Sequence, residues 1–465
     1  MMKISRREFA TGAVAGLALA GLARRNAEAA TIGTTYRNEV RGYGELVGDP
    51  AGLFDLPSGF SYSIVSSAGE AMDDGYVTPG NFDGMACFPL DARRVALVRN
   101  HELKPETYDR GPTAGLARLE QRLRSEPVFG RDGAGRPMPG GTSTIVYDVK
   151  SGKRELQYLS LAGTAVNCAG GPTPWGSWLS CEESVLKAGE VERDHGWVFD
   201  VPARTRGLVE PKPLKGLGRF RHEAAAVDPW TGIIYLTEDR DDGLFYRFVP
   251  HAPGTLERGG KLQAMVLRDE RGADTRNWSG TGFAPGTSRA VAWINLEETH
   301  SPADDLRARG HAAGAAVFAR GEGIHRGERE YFFTCTSGGP AKLGQIMRYV
   351  PSRAEGHPGE NSAPGQLQLF VESRDPLVMD YADNLTVTPW GHLIVCEDRS
   401  DNEVNHLKGV TSDGKIYTFA RLNADTELAG VCFSPDGATM FVNVYHPGRT
   451  LAITGPWAAL KSAPG

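Results

Sequence analysis

Leu385-Thr386-Val387-Thr388-Pro389-Trp390-Gly391-His392-Leu393-Ile394-Val395 reads as two short apolar strands joined by a Pro-x-Gly turn. Proline presets the first turn dihedral and glycine accepts the unusual one, so the two runs fold back on each other as a hairpin. The unit recurs at Met85-Ala86-Cys87-Phe88-Pro89, at Gly170-Gly171-Pro172-Thr173-Pro174-Trp175-Gly176, at Ala225-Ala226-Val227-Asp228-Pro229-Trp230 and at Val431-Cys432-Phe433-Ser434-Pro435-Asp436-Gly437. Each turn leads into a second apolar run, such as Arg94 to Val98, Ser177 to Ser180, Ile233 to Thr237 or Thr439 to Val444. A sixth, degenerate copy runs from Ala315-Ala316-Val317-Phe318 through a longer turn to Tyr331-Phe332-Phe333-Thr334. Hairpins repeated at intervals of several tens of residues are the pattern of propeller blades carrying long insertions. The expected fold is therefore all-β, a single β-propeller of six blades with loop and short-helix insertions. Pro112 to Ser125 is the clearest insertion, with Leu116, Leu119 and Leu123 at helical spacing. Pro351 to Gln366 reads as a polar loop, Pro253 to Arg289 as strands broken by turns, and Pro456 to Ser462 as a short terminal helix.

The composition agrees with this reading and excludes others. In 465 residues there are 58 Gly and 29 Pro, a turn-rich balance that favours many short strands. The net charge of −6 has mixed signs throughout and no basic stripe, which excludes a nucleic-acid binder. Six cysteines, at 87, 168, 181, 335, 396 and 432, are too scattered for a disulfide framework. All but Cys168 lie in apolar runs, where a buried free thiol acts as a small hydrophobe.

The N-terminus opens Ser5-Arg6-Arg7-Glu8-Phe9 ahead of a mild apolar run from Ala10 to Leu22, followed by the small-x-small pattern Ala27-Glu28-Ala29. That run is too short and too weakly apolar to anchor in a bilayer, so residues 1–29 read as a removable twin-arginine signal peptide and 30–465 as the propeller domain. The expected partner is the twin-arginine translocase, the expected location periplasmic or extracellular, with no stable membrane anchor.

Alignment on the turn proline exposes a column of ligand-type residues six positions upstream: Asp83, Cys168, Glu223 and Asp383, with Ala429 in the last copy. A second column of acids closes the following strand, at His101-Glu102, Glu182-Glu183, Glu238-Asp239 and Glu397-Asp398, with Asn443 in the last copy. Paired strands run antiparallel, so both columns fall at one mouth of the propeller channel. Carboxylates gathered there repel one another unless cations intervene. Carboxylate oxygens suit Ca²⁺, and one thiolate, Cys168, suits iron or zinc. The candidate ligands are Asp83, Glu102, Cys168, Glu183, Glu223, Asp383 and Asp398. Arg221 and His222, beside Glu223, are candidate substrate binders or members of a strand-end salt bridge. Arg240 and Arg399, which follow their acid pairs, are expected to pair with those acids.

These residues resemble the PhoX-type alkaline phosphatases and their PhoX-like relatives. The resemblance runs through Asn81 to Asp83, Arg99 to Glu102, Gly218 to Glu223, Phe333 to Gly339 and Asp383 to Asp398, and is most specific from Asn167 to Trp178. It implies a metal-dependent phosphomonoesterase with Fe³⁺ and Ca²⁺ around a bridging oxygen, a phosphate-ester substrate, Cys168 and Glu223 as iron ligands, and Glu102 and Asp83 as neighbours in the cluster. One departure stands out: the family's Arg-Pro-Glu-Asp motif is matched here by Tyr381-Ala382-Asp383-Asn384, without the arginine. Two other readings keep the same scaffold, a lactonase-like ester hydrolase and a non-catalytic periplasmic binding protein stabilised by metal.

Overall fold

The computed structural model describes residues 35–280, 282–399 and 404–460. The signal-peptide reading and the end of the terminal-helix reading lie outside the described residues. Strands dominate, and the two α-helices among the described residues are short, Ala117–Leu123 and Leu306–Ala312. The first is the expected insertion: Leu119 and Leu123 are buried, while Leu116 lies just before the helix and is exposed. No described helix is long and apolar enough to cross a membrane.

Six strands organise the rest: β1 (Phe82–Pro89), β2 (Asn167–Pro172), β3 (His222–Val227), β4 (Gly321–Arg326), β5 (Ala382–Val387) and β6 (Leu428–Phe433). Each packs against the next, β1 on β2, β2 on β3 and so on, and β6 packs back on β1. Each also starts an antiparallel sheet that runs outward through a hairpin partner, Arg94–His101 for β1, Ser177–Glu182 for β2, Ile234–Glu238 for β3, Tyr331–Cys335 for β4, Leu393–Glu397 for β5 and Thr439–Val444 for β6. The sheets of β3 and β4 are joined into one of nine strands because Ser288–Asn295 pairs with the outer strand of each. The last sheet takes its outermost strand, Ser61–Ser67, from the N-terminal part of the chain. The arrangement is all-β and propeller-like.

Apolar side chains fill the spaces between neighbouring sheets. Phe88 and Val98 meet Trp178 and Phe199 between the first two; Phe245 and Tyr235 meet Phe333 and Tyr349 between the third and fourth. The seam between last and first is filled by Phe441, Cys432, Leu97 and Ile145. A strand buried on both faces must be apolar throughout, which is why the hairpins were legible. The centre is different. The far halves of the six strands line an axial cavity of about 220 Å³, touched by Ala86, Gly170, Ala224, Ile324, Leu385 and Val431, one from each strand.

The sixth hairpin differs from the expectation. Its first strand is Gly321–Arg326, not Ala315 to Phe318, and its turn, Gly327 to Glu330, contains no proline. Ala315 to Phe318 makes only isolated bridges, Val317 with Asp274 and Phe318 with Gly243.

Candidate metal centre

Every one of the six strands carries a β-bulge near its start. The pairing skips from Phe82 to Met85, Asn167 to Gly170, His222 to Ala225, Gly321 to Ile324, Ala382 to Leu385 and Ala429 to Cys432, each time against two residues of the partner. A bulge inserts one residue, twists the strand and re-aims a side chain. In the first five strands the extra residues begin with Asp83, Cys168, Glu223, Glu322 and Asp383. The residue after each is Gly84, Ala169, Ala224, Gly323 or Asn384. The small ones are required by close strand approach: a Cβ on Gly84 would lie 2.6 Å from Ala169 Cα, and one on Gly323 2.8 Å from Asn384 Cα. In β6 the extra residues are Gly430 and Val431, so it offers no ligand from within the strand. Glu427, immediately before it, faces the centre instead.

The residue before a strand fixes the second layer of the site. Asn81, Val166, Arg320 and Tyr381 all adopt left-handed backbone conformations, with φ of 49°, 51°, 52° and 49°. Such conformations are disfavoured for bulky residues and persist where surrounding structure holds them. Here their carbonyls accept hydrogen bonds from the residue that follows the partner strand: Glu102 N–H to Asn81 at 3.0 Å, Glu183 to Val166 at 2.8 Å, Thr336 to Arg320 at 3.0 Å and Asp398 to Tyr381 at 3.0 Å. In the last sheet the pairing runs one residue further, and Tyr445 N–H donates to Glu427 O at 3.2 Å. Glu102, Glu183 and Asp398 are thereby held at the mouth by their backbones.

The ligand atoms gather in four overlapping groups, each with all atoms within 4.8 Å of one another: Asp83, Glu102 and Cys168; Cys168, Glu183 and Glu223; Glu223, Glu322 and Asp383; Asp383, Asp398 and Glu427. Cys168, Glu223 and Asp383 each belong to two groups, so the set is one continuous cluster. Cys168 Sγ lies 3.1 Å from Glu223 Oε1 and 3.6 Å from Asp83 Oδ2. All seven residues expected as ligands are brought together. Glu322 and Glu427 were not foreseen.

Burial and mutual repulsion disturb these acids. Glu102 is pushed up to about 7, chiefly by burial. Asp383 is also pushed up to about 7, by burial and then by Asp398, and Glu183 to about 8, by burial and then by Asp239 and Glu102. Burial, reinforced by neighbouring carboxylates, drives Asp83, Glu223, Glu322 and Glu427 well above the carboxylate range. Few cations answer them. Arg320 pairs with Asp239 at 2.8 Å and with Glu322 at 2.9 Å, and Arg221, partly exposed, lies 3.5 Å from Glu183.

Neighbouring residues of a strand point to opposite sides, and this divides the acid pairs. Glu102, Glu183 and Asp398 face the cluster; the residue before each faces into its own sheet. Glu182 is buried against His195 Nδ1 at 2.6 Å and the N–H groups of Ala165 and Gly196. Glu238 accepts from the Tyr246 hydroxyl at 2.6 Å, Glu397 pairs with His406 at 2.8 Å, and His101 lies between Gly80 O and the Ser143 hydroxyl. Asn443, likewise, is buried and donates to Asp83 O at 2.6 Å. His222 follows the same rule. It pairs across the ladder with Glu238, its Nε2 lies 2.9 Å from Gly218 O, and its ring packs on Phe220 with centroids 3.6 Å apart. The structure therefore does not bring His222 to the mouth, whereas Arg221 is there. Arg240 and Arg399 pair with Asp304 and Asp380 rather than with the acids they follow.

Tyr381 precedes β5 with no arginine, whereas the strand before it is preceded by one, Arg320. Arg320-Gly321-Glu322 has the Arg-x-acid spacing of the family motif, with Arg320 just before β4 and Glu322 in its bulge.

The chain matches the family model described as alkaline phosphatase PhoX over residues 41–128 and 141–448. Among solved structures it is similar to Pseudomonas fluorescens PhoX in complex with vanadate, a transition-state analogue, at 20% identity and a TM-score of 0.63, covering 87% of this chain and 96% of that one. This likeness is one of fold. A gluconolactonase from Xanthomonas campestris aligns at 12% identity and a TM-score of 0.42, over 90% of this chain and 99% of that one. A calcium-binding regucalcin from Agrobacterium tumefaciens aligns at 12% and 0.40, over 84% and 97%. No curated protein matches the chain.

Proposed function

This chain belongs to the PhoX family of alkaline phosphatases, and from that premise we propose that it is an exported phosphomonoesterase working at a mixed iron and calcium centre on the bulge ring. The observation that carries the reading is the continuous cluster through Asp83, Cys168, Glu223, Glu322 and Asp383, with Glu102, Glu183, Asp398 and Glu427 beside it. The donors fit metal ions: Glu223 Oε2 is buried with no hydrogen-bond partner, and the surrounding carboxylates outnumber the two nearby arginines. Oxygen-only groups such as Asp383, Asp398 and Glu427 suit Ca²⁺, whereas the groups sharing Cys168 suit iron. Bound there, the ions would neutralise charge on the phosphoryl oxygens and acidify the attacking water.

The chain's own residues supply orientation. Arg320 and Arg221 present guanidinium donors at the same mouth, geometry suited to holding the oxygens of a phosphate monoester. The left-handed residues Asn81, Val166 and Tyr381 keep Glu102, Glu183 and Asp398 in place through backbone hydrogen bonds. In the overall reaction water cleaves the ester to an alcohol and inorganic phosphate.

Six blades, one for each central strand, are the natural division of the propeller, with 30–465 as one domain. The twin-arginine motif at Arg6 and Arg7 supports export to the periplasm or beyond, a route suited to a protein that folds around its metals first. Assay of purified protein on p-nitrophenyl phosphate and on a lactone panel, with and without chelator, tests the activity. Phosphate-ester hydrolysis abolished by chelation is the expected result; lactone hydrolysis alone would overturn the reading.

A further inference from the structure

The segment from Thr336 to Gly344 is clamped to two of the strands that build the site. Thr336 N–H donates to Arg320 O at 3.0 Å and its hydroxyl to Ala382 O at 2.7 Å; at the other end Tyr381 N–H donates to Leu343 O at 3.0 Å. Arg320 and Tyr381 directly precede β4 and β5, which carry Glu322 and Asp383. The segment is thus part of the rim of the metal centre.

Lys342 stands on that rim, exposed, with φ of 55°. Its ammonium sits 4.5 Å from the centroid of the Trp278 ring. Trp278 is itself fixed, since its Nε1–H donates to Ser337 O at 2.6 Å. The same indole carries the Arg276 guanidinium at 4.4 Å, but Arg276 is already neutralised by Asp274 through bonds of 2.8 and 2.7 Å. Lys342 has no carboxylate partner among the described residues. A lysine in a left-handed conformation, held over an aromatic face and left unpaired beside an anion-binding mouth, is a pre-placed point charge.

We propose that Lys342, presented by Trp278, is a specificity-determining residue that pairs with a second anionic group on the alcohol side of the substrate. The preferred esters would then carry a carboxylate or another phosphate besides the phosphoryl group that reacts. The proposal rests on the phosphomonoesterase reading of the ring. Arg221 and Arg320 are adjacent to the metal ligands and serve the reacting phosphate; Lys342 lies farther along the chain from any ligand and serves what is attached to it.

The test is a matched pair of substrates. 3-Phosphoglycerate and glycerol 3-phosphate differ by a carboxylate in place of a hydroxymethyl group. Wild-type protein is expected to favour 3-phosphoglycerate in kcat/KM, with a preference that fades as salt is raised. Lys342→Gln lowers the ratio of the two kcat/KM values about fivefold, through KM, and Lys342→Arg keeps it. Equal use of both esters by the wild type, or an unchanged ratio in Lys342→Gln, overturns the proposal and leaves the phosphatase reading standing. Hydrolysis of neither ester overturns the proposal, and the phosphatase reading falls with it only if p-nitrophenyl phosphate is also left intact.

Discussion

Cys168 Sγ and Glu223 Oε1 lie 3.1 Å apart, each in the bulge of its own strand, β2 and β3. Among the described residues the thiol is the one sulfur in an otherwise oxygen-rich ring. On the proposed reading it would bind iron as a thiolate, and a thiolate on ferric iron gives visible charge-transfer absorption. Cys168→Ser is expected to bleach that absorption and lower phosphatase activity while leaving the melting temperature nearly unchanged. Cys396, buried among Ile394, Leu407 and Tyr417, serves as the control. Cys396→Ser should keep the colour and lose stability. Visible spectra of the two variants check the assignment.

Glu322 is the cluster carboxylate that the turn alignment missed, and its removal is expected to have opposite consequences in the two states of the protein. Without metal, Glu322→Gln removes one of several buried carboxylates that repel one another and should raise the melting temperature by a few degrees. With metal, it removes a donor, and metal affinity and kcat/KM should each fall by at least about a hundredfold. Differential scanning calorimetry with and without chelator separates the two effects. A lower melting temperature in both states would show that Glu322 is only structural.

Much of this was legible in the sequence, for identifiable reasons. Five hairpins announced themselves because proline marks their turns, and counting back from proline reached Asp83, Cys168, Glu223 and Asp383. The sixth turn has no proline, so the count had no origin and Arg320 and Glu322 were passed over. A different signal was present. The glycine or alanine after Asp83, Cys168, Glu223 and Glu322 reflects the close approach of neighbouring strands at the bulge. Which member of each acid pair faces the ring depends on strand register, and six concurrent bulges cannot be read from apolar periodicity. His222 was misjudged for that reason, one residue being enough to turn a side chain from the mouth into the sheet. Glu427 was passed over because β6 pairs one residue further than the others.

The adjacent acids Glu397 and Asp398 offer a test of that register. Burial would raise the Glu397 carboxyl, but Lys408 and His406 outweigh it and hold the group below its ordinary value. Glu397→Gln leaves Lys408 buried without its partner and should destabilise the protein by on the order of 3 kcal/mol, with metal content retained. Asp398→Asn should do the reverse, losing metal with little change in the stability of the chelated protein. Denaturant melts combined with metal analysis distinguish them, and the opposite pattern would mean that the register is wrong.

The raised carboxyls also set how stability depends on pH. In the metal-free protein Glu102 and Asp383 titrate near 7 and Glu183 near 8, against ordinary values of 4.5, 3.8 and 4.5. Between about pH 4.5 and 8 the folded chain keeps protons that the unfolded chain has released. Stability is therefore greatest at the acidic end of that window and falls as pH rises through it. The chelated protein should lose at least about 5 °C of melting temperature from pH 5 to pH 8. Metal-loaded protein, whose ligands are already deprotonated, should lack this slope. A chelated protein that gained stability over the same range would contradict the assignment.

Elemental analysis tests the central claim most directly, that the bulge ring holds a mixed metal centre on which the phosphatase depends. Protein purified without added metal, and active on phosphate esters, should contain both iron and calcium, each at one or more moles per mole of chain. Fully active protein that contained no transition metal would contradict the account and return Cys168 to the status of a structural thiol.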